Sequence, residues 1–399
     1  MNDKKKYRFN LSKGAVIGCL TAISLLTSTG TIVFAAESTN TSSVIQEQNT
    51  SEKLLVDEDT KLYHNFDSFI NKAGFNFKVP DYAVTEYSLG KTFQLEKIDN
   101  NKNYAKIDFN NKIKNSSYAF FANVENIKYS LAREYKMFDN NKAIIKSDPK
   151  NVGSIQGENI TGISTNPNGY KIEEQYFEWQ NDGIYYSIKY YSNYNNEIKL
   201  NLTDNEILNI INSLKYPKET TNINYFKKNI LGKDFNHLNI YYEEDLNEAS
   251  NILGFHPKLV INNSIRPDHA SLTFDYEDED DDNKKLTFES EYILENNFYF
   301  DLVESKDSTN YDKIKDEQFF FSADKKKKGM NITTEKIKIN NKDVYKAKLD
   351  PISNSVKNLY AYAYAFEDNG IYYELYKDTP NPSDDDYLEK AIKLILDQD

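Results

Sequence analysis

The chain states one pattern twice. Asn181-Asp182-Gly183-Ile184-Tyr185-Tyr186 returns as Asp368-Asn369-Gly370-Ile371-Tyr372-Tyr373, and each copy is followed by a capped amphipathic segment. Two copies of one pattern in one order imply two copies of one supersecondary unit. If Asp182-Gly183 and Asn369-Gly370 are the central pairs of type I′ turns, two-residue hairpins follow and their register is set. Counting outward, Trp179 opposes Tyr186 and Phe177 opposes Ile188; in the second copy Phe366 opposes Tyr373 and Tyr364 opposes Leu375. These bulky pairs share one face. The intervening pairs, Gln180/Tyr185, Glu178/Ser187, Glu367/Tyr372 and Ala365/Glu374, make the other face half polar and wet.

Helices bracket each hairpin. Leu62, Phe66, Phe69, Ile70 and Ala73 recur at helical spacing and stop at Gly74; Leu246, Ala249, Ile252 and Leu253 do the same and stop at Gly254, each glycine fit for a left-handed cap. Thr203-Asp204-Asn205-Glu206 is a capping box before Ile207, Leu208, Ile210, Ile211 and Leu214, with Pro217 closing the helix. Ser383-Asp384-Asp385-Asp386 opens a terminal helix carrying Tyr387, Leu388, Ala391, Ile392 and Ile395.

Between these markers, 91–98 and 104–109 alternate as strands, as do 271–276 and 286–292 in the second copy. Ile155 to Ile160 and Ile339 to Val344 read as matching turn-centred hairpins, and 116–138 reads as strand or helix. The fold class is α+β: two tandem domains, each an antiparallel β-sheet with helices packed on one face.

The N-terminus reads as an export signal. Lys4, Lys5, Lys6, Arg8 and Lys13 precede an apolar run from Gly14 to Phe34, and Val33-Phe34-Ala35 before Ala36 suits signal peptidase. The run is also long enough to serve as an uncleaved anchor, and Val16-Ile17-Gly18-Cys19 resembles a lipobox. The organisation read from the sequence is a signal peptide over 1–35, a flexible spacer over 36–56, a first repeat over 57–217, a linker over 218–236 and a second repeat over 237–399.

Cleavage after Ala35 removes five basic residues and Asp3, leaving 44 Lys+Arg against 61 Asp+Glu, a net charge of -17. Such a surface repels nucleic acid and anionic lipid, so no nucleic-acid partner is expected, and membrane contact only through the N-terminal segment if it is retained. Cleavage also removes the only cysteine, so the mature chain has neither a disulfide nor a thiolate metal site.

At this point the residues resemble a known family. The order helix-Gly-Phe, Val79-Pro80-Asp81-Tyr82, strands, a Trp179-centred aromatic strand with Asp-Gly-Ile-Tyr-Tyr, then a capped helix is similar to an uncharacterised extracytoplasmic domain of Gram-positive bacteria. That domain is often attached to membrane-anchored anti-sigma-type regulators and is distantly lipoprotein-carrier-like. The second copy lacks the Val-Pro element, having His256-Pro257 near there, and has Phe366 in place of tryptophan. The resemblance implies a sensor or binding role and a curved sheet able to hold an apolar ligand; no catalytic residue comes with it.

Motifs for chemistry are sparse. The four histidines, His64, His237, His256 and His269, show no zinc spacing, and the chain has no nucleophile elbow, phosphate loop or dinucleotide fingerprint. Asp278, Asp280, Asp282 and Glu289 occupy positions 1, 3, 5 and 12 of a calcium loop, but Asn283 stands where glycine makes the turn, and the alternative is a solvated acidic hairpin tip. The 31 Tyr and 23 Phe fall mostly on the inferred core face; Tyr185, Tyr372 and Tyr376 project to the other side and are the candidates for a recognition strip. Two function classes result: a non-enzymatic envelope binding or sensor module engaging a protein or apolar ligand, without a cofactor unless calcium binds, and a carboxylate-dependent hydrolase of envelope or extracellular polymers.

Overall fold

The computed structural model describes residues 53–99, 102–128, 144–165, 169–227, 237–276, 284–294, 298–317, 332–349, 360–379 and 385–397. The chain divides into two units, one of Glu58–Ile230 and one of Leu231–Asp399 together with Met1–Asp57. Among the described residues no helix is long and apolar enough to cross a membrane.

The first unit contains β1 (Thr60–Tyr63), α1 (Phe66–Ala73), β2 (Val79–Pro80), β3 (Ser88–Asp99), β4 (Lys102–Asn111), β5 (Ser116–Asn123), β6 (Ile144–Val152), β7 (Ile155–Thr165), β8 (Lys171–Asn181), β9 (Ile184–Tyr194), β10 (Glu197–Asn201), α2 (Asp204–Asn212) and β11 (Leu214–Lys215). The second contains β12 (His237–Asn239), α3 (Glu243–Leu253), β13 (Ile265–Tyr276), β14 (Lys284–Leu294), β15 (Tyr299–Ser305), α4 (Thr309–Lys315), β16 (Ile332–Ile339), β17 (Lys342–Leu349), β18 (Tyr360–Asp368), β19 (Ile371–Thr379) and α5 (Asp385–Leu396).

Both units are mostly antiparallel sheet, and the strand order is the same. The first runs β1-β3-β4-β5-β9-β8-β7-β6, with β10 paired to β9, and the second runs β12-β13-β14-β15-β19-β18-β17-β16. In each, four antiparallel strands are followed by a crossover to the far edge and a meander back, so that β9 closes beside β5 and β19 beside β15.

The two signature hairpins fix this register. Asp182 and Gly183 sit at φ 52 and 80, Asn369 and Gly370 at φ 53 and 78, the paired left-handed residues that a type I′ turn requires. Trp179 pairs with Tyr186 and Phe177 with Ile188; Phe366 pairs with Tyr373 and Tyr364 with Leu375. All eight side chains are buried. Asn340 and Asn341, at φ 47 and 63, make the same turn between β16 and β17.

In the first unit, Phe66 and Phe69 of α1 lay their rings 4.9 and 5.3 Å from Phe93, on the sheet face that carries Trp179 and Tyr186. In the second unit, α5 places Leu388, Ala391, Ile392 and Ile395 in one cluster with Tyr364, Phe366 and Tyr373, while Leu246, Ala249 and Leu253 of α3 pack with Leu272 and Phe288 farther along the same face.

Several expectations are corrected. Not every helix shares a face: Ile314 of α4 packs with Ala347, Ala363 and Ala365, which alternate with Tyr364 and Phe366 and so line the opposite side. Leu62 belongs to β1 rather than to the helix, because Asn65 caps α1 by accepting from Asp67 N–H. Residues 155–160 are not a turn but part of β7; the chain reverses at Gly153-Ser154, with Gly153 at φ 59. Gly157 instead allows a close approach, since a Cβ there would collide with the Glu178 carbonyl oxygen. Tyr387 lies at the surface, 38% exposed, because the inward positions of α5 are Leu388, Ala391 and Ile392.

The boundaries also shift. The spacer reaches only to residue 52 at most, because Leu55 and Val56 N–H donate to the Tyr241 carbonyl and Val56 is buried against α3. The second unit is therefore built from two pieces of chain. At the other boundary, residues 221–225, assigned to a linker by composition, are folded into the first unit: Tyr225 is buried with its ring 4.7 Å from Phe66. Of 116–138, residues 116–123 are strand β5; the remainder beyond 128, and the Ser383 cap, lie outside the described residues.

Candidate functional site

The site begins at the lysine four residues beyond each left-handed glycine. In Gly74-Phe75-Asn76-Phe77-Lys78, the Lys78 N–H donates to Tyr186 Oη at 3.1 Å and its Nζ reaches Asp182 at 3.1 Å. In Gly254-Phe255-His256-Pro257-Lys258, the Lys258 N–H donates to Glu304 Oε2 at 3.0 Å and its Nζ reaches Asp368 at 3.0 Å. Each lysine therefore ties the segment after its helix to the signature hairpin. Tyr373, the counterpart of Tyr186, faces Glu304 across β15, whereas Tyr186 faces Ala122 across β5.

Glu304 is fully buried on the aromatic face. Burial pushes its pKa up to about 8, against the opposing pull of the Lys258 N–H and ammonium. Its second oxygen, Oε1, has no hydrogen-bond partner among the described residues, which the neutral acid tolerates better than the carboxylate.

Above Lys258 lies an open recess of about 310 Å³, entirely within the second unit. Its walls combine apolar groups, Leu55, Leu259 and Ile261, with the charged groups of Lys53, Glu243 and Lys258. His256 stands at the rim with Nδ1 2.9 Å from Ser250 Oγ. The recess thus combines a few apolar contacts with charged groups, and Glu243 is the carboxylate among its lining residues.

On the opposite sheet face each signature hairpin holds a buried carboxylate on an equivalent rung. In the first, Glu178 faces Ser187; in the second, Ala365 faces Glu374, so the acid sits on the other strand of the hairpin. Glu178 Oε2 accepts from Ile127 N–H at 2.6 Å and Ser187 Oγ at 3.1 Å; burial raises its pKa to about 7, with these bonds opposing. Glu158 is its direct neighbour on β7 and accepts from Ser147. Burial also raises Glu374, which accepts from Tyr376 and from Asn310 Nδ2 at 3.3 Å. Ile127 follows β5 and Asn310 follows β15, the strands that lead into the crossover, so in each unit the start of that crossover is pinned to the sheet through a buried acid.

The tyrosines singled out by alternation occupy this face, but they do not form an open strip. Tyr185 is half-buried between Asn123 and Gln180. Tyr372 is half-buried with its ring 5.1 Å from Tyr311 of α4, and Tyr376 turns its hydroxyl inward to Glu374. The helix that covers the second pair has too short an apolar pattern to be recognised beforehand. Asp278, Asp280 and Asp282 lie outside the described residues; Glu289 sits half-buried on β14 and accepts from Thr287 Oγ1 at 3.1 Å. Among the described residues no group of three or more His, Cys, Asp or Glu side chains is placed to hold a metal.

Sequence reasoning missed Glu304 and Lys258. A signal existed for the first: Phe300, Leu302 and Glu304 alternate on one side of β15, which places a carboxylate at a core position.

No family model matches the chain, and no curated protein matches it. Among solved structures it is similar, at a TM-score of 0.11 and 8% identity over 82% of this chain and 86% of that one, to the di-domain ARO/CYC StfQ from the steffimycin biosynthetic pathway. A likeness at that score bears on neither the chemistry nor the partners of this chain.

Proposed function

We propose that the chain is an exported, non-enzymatic binding or sensor module of the cell envelope, in which two helix-covered sheets serve as scaffold and the recess beside Lys258 serves as the contact point. The observation that carries this reading is where the buried acids are spent. Asp81, Glu174, Glu178, Asp368 and Glu374 each accept hydrogen bonds from side chains or backbone of their own unit, whereas the recess presents apolar walls and exposed charge. Groups already committed to closing the fold are poor acid/base catalysts; a recess with one carboxylate suits recognition. The resemblance to extracytoplasmic regulator domains supports the same role. Crosslinking on intact cells, through a photoreactive residue at Ile261, tests it: a discrete crosslinked partner or lipid is expected, and uniform labelling of solvent alone overturns it.

One observation favours a second reading. Glu158 and Glu178 face each other across β7 and β8, with Glu178 held near neutrality, which is the pairing of unlike carboxylates that polymer hydrolysis uses. Hydrolysis of cell-wall or extracellular polysaccharide that Glu178→Gln abolishes while melting temperature is unchanged would establish it.

A further inference from the structure

The two repeats register on the glycine that ends their leading helix, which lays Lys78-Val79-Pro80-Asp81 over Lys258-Leu259-Val260-Ile261. The contacts of the two lysines are consistent with this register, since both donate inward through N–H and both reach an aspartate of the signature hairpin through Nζ, though the aspartates stand one place apart.

In the first repeat the residues after the lysine are covered by their own chain. Val79 and Pro80 pair with Lys215 and Leu214, and Asp81 N–H donates to the Ser213 carbonyl at 3.2 Å. The Asp81 carboxylate then accepts from Lys215 Nζ and from the N–H groups of Thr221, Asn222 and Ile223, and Tyr225 Oη donates to the Pro80 carbonyl at 2.6 Å. Leu214–Tyr225 is an added strand and strap.

In the second repeat that place is open. Val260 N–H is used inward, donating to Tyr292 Oη at 3.0 Å, but the backbone groups of Leu259 and Ile261 have no partner among the described residues. These are the positions of Val79 and Asp81, the two that bond the added strand in the first repeat. The residues that correspond to Leu214 and Lys215 by the buried pattern of the helix, Ile395 and Leu396, continue α5 and are buried in the core, so the strand has been exchanged for a helical turn. Ile261 is 40% exposed, and the recess runs alongside.

We infer that Leu259–Ile261 is a docking edge for an extended peptide segment of a partner protein, apolar at alternate positions and carrying an acidic residue. The inference rests on the binding-module reading and narrows it to a partner class. Unpaired alternate backbone groups recruit a strand, and side-chain pockets beside them set its identity. Leu55, Leu259 and Ile261 offer the apolar contacts. Of the charged residues that line the recess, Lys258 is bonded to Asp368, which leaves the exposed Lys53 as the cation available to an acidic residue of the incoming segment and Glu243 as the group that would repel one placed differently. Ile261 in place of Asp81 also removes the carboxylate that holds Lys215 in the first repeat, so a basic residue has lost its counterpart and an acidic one has gained Lys53.

Amide hydrogen exchange of the intact protein tests this with two probes, the peptide of sequence Leu214–Tyr225 and the same peptide with Lys215→Glu. The glutamate peptide is expected to slow exchange at Leu259 and Ile261, and Lys53→Glu to weaken it by about tenfold, the scale of one charge contact. Ile261→Asp, at an exposed position, is expected to reverse the preference in favour of the unmodified peptide by restoring the missing carboxylate. Three results overturn the inference: neither peptide slows these amides at millimolar concentration in either protein; the amides are already protected in the free monomer; or self-association protects them, which makes a second copy the occupant. A partner that crosslinks elsewhere while these amides exchange freely removes this edge and leaves the binding-module reading intact.

Discussion

Lys258 and Lys78 each bond an aspartate of the signature hairpin, at 3.0 and 3.1 Å, but one place apart: Asp368 ends its strand where the first repeat has Asn181, Asp182 sits in the turn where the second has Asn369, and the Asp368 side chain is 5% exposed against 70% for Asp182. Asp368 is held by two ammonium groups, Lys258 and Lys342, and despite the burial that opposes ionisation its pKa is lowered. The energetic weight of the two clamps must therefore differ. Asp368→Ala is expected to destabilise the second unit by about 3–5 kcal/mol, leaving two lysines without their counter-charge, while Asp182→Asn changes the first by less than about 1 kcal/mol. Asparagine is also at home in the left-handed turn position. Urea unfolding of the two variants checks the contrast; equal losses would refute it.

Glycine positions give a second prediction. At Gly183 and Gly370 nothing lies within 4 Å of the point a methyl group would occupy, so alanine there costs only the strain of positive φ, about 1–2 kcal/mol. Gly157 has an ordinary backbone, but a methyl group would collide with the Glu178 carbonyl oxygen and meet the Phe177 ring at 2.9 Å. Gly157→Ala is expected to cost more than Gly183→Ala, about 3 kcal/mol or above, through forced separation of β7 and β8. Thermal unfolding orders the two, and the reverse order would show that the strands part easily.

That contrast also shows which parts of the fold were legible beforehand. The signature hairpins, their register, the glycine caps and the Thr203 capping box follow from residues whose φ, pairing or hydrogen bonding is local, and the sequence specifies them in place. Gly157 looks like any turn glycine, because its reason is a contact 21 residues away with Glu178. The same holds for the boundaries: Val56 and Tyr225 are anchored by Tyr241 and Pro80, partners far along the chain, so polar composition around them reads as linker. Of the site, the acid at Glu304 was visible as a carboxylate on an apolar face, whereas the recess depends on where Lys53 and Ile261 meet.

Stability should rise as the medium turns mildly acidic. Burial raises the pKa of Glu178 to about 7 and of Glu304 to about 8, above the ordinary 4.5, so the native state holds these protons more tightly than the unfolded chain. A group of this sign contributes nothing adverse below pH 4.5 and costs stability progressively as pH rises through its folded value. Between about pH 4.5 and 8 the two together are expected to remove several kcal/mol, roughly 1.4 per pH unit for each while it titrates. Glu178→Gln and Glu304→Gln should each flatten the profile in their own unit. Urea unfolding free energies measured at pH 5, 6.5 and 8 check this, and a stability that climbs across the range would contradict it.

Asp81 has the opposite sign. Burial works against its charge, but the Lys215 ammonium and the N–H groups of Ile223, Asn222 and Thr221 override it and lower the pKa below the ordinary 3.8. Its contribution is present above pH 3.8 and is lost as the medium becomes strongly acidic. Because this carboxylate binds both ends of the strap, Asp81→Ala is expected to cost about 3–5 kcal/mol and to free residues 217–227 for trypsin at Lys218 and Lys227. Tyr225→Phe keeps the ring on Phe66 and loses only the bond to Pro80, about 1 kcal/mol, so its strap should remain resistant. Equal cleavage of the two variants would mean that the ring, rather than the carboxylate, holds the segment down.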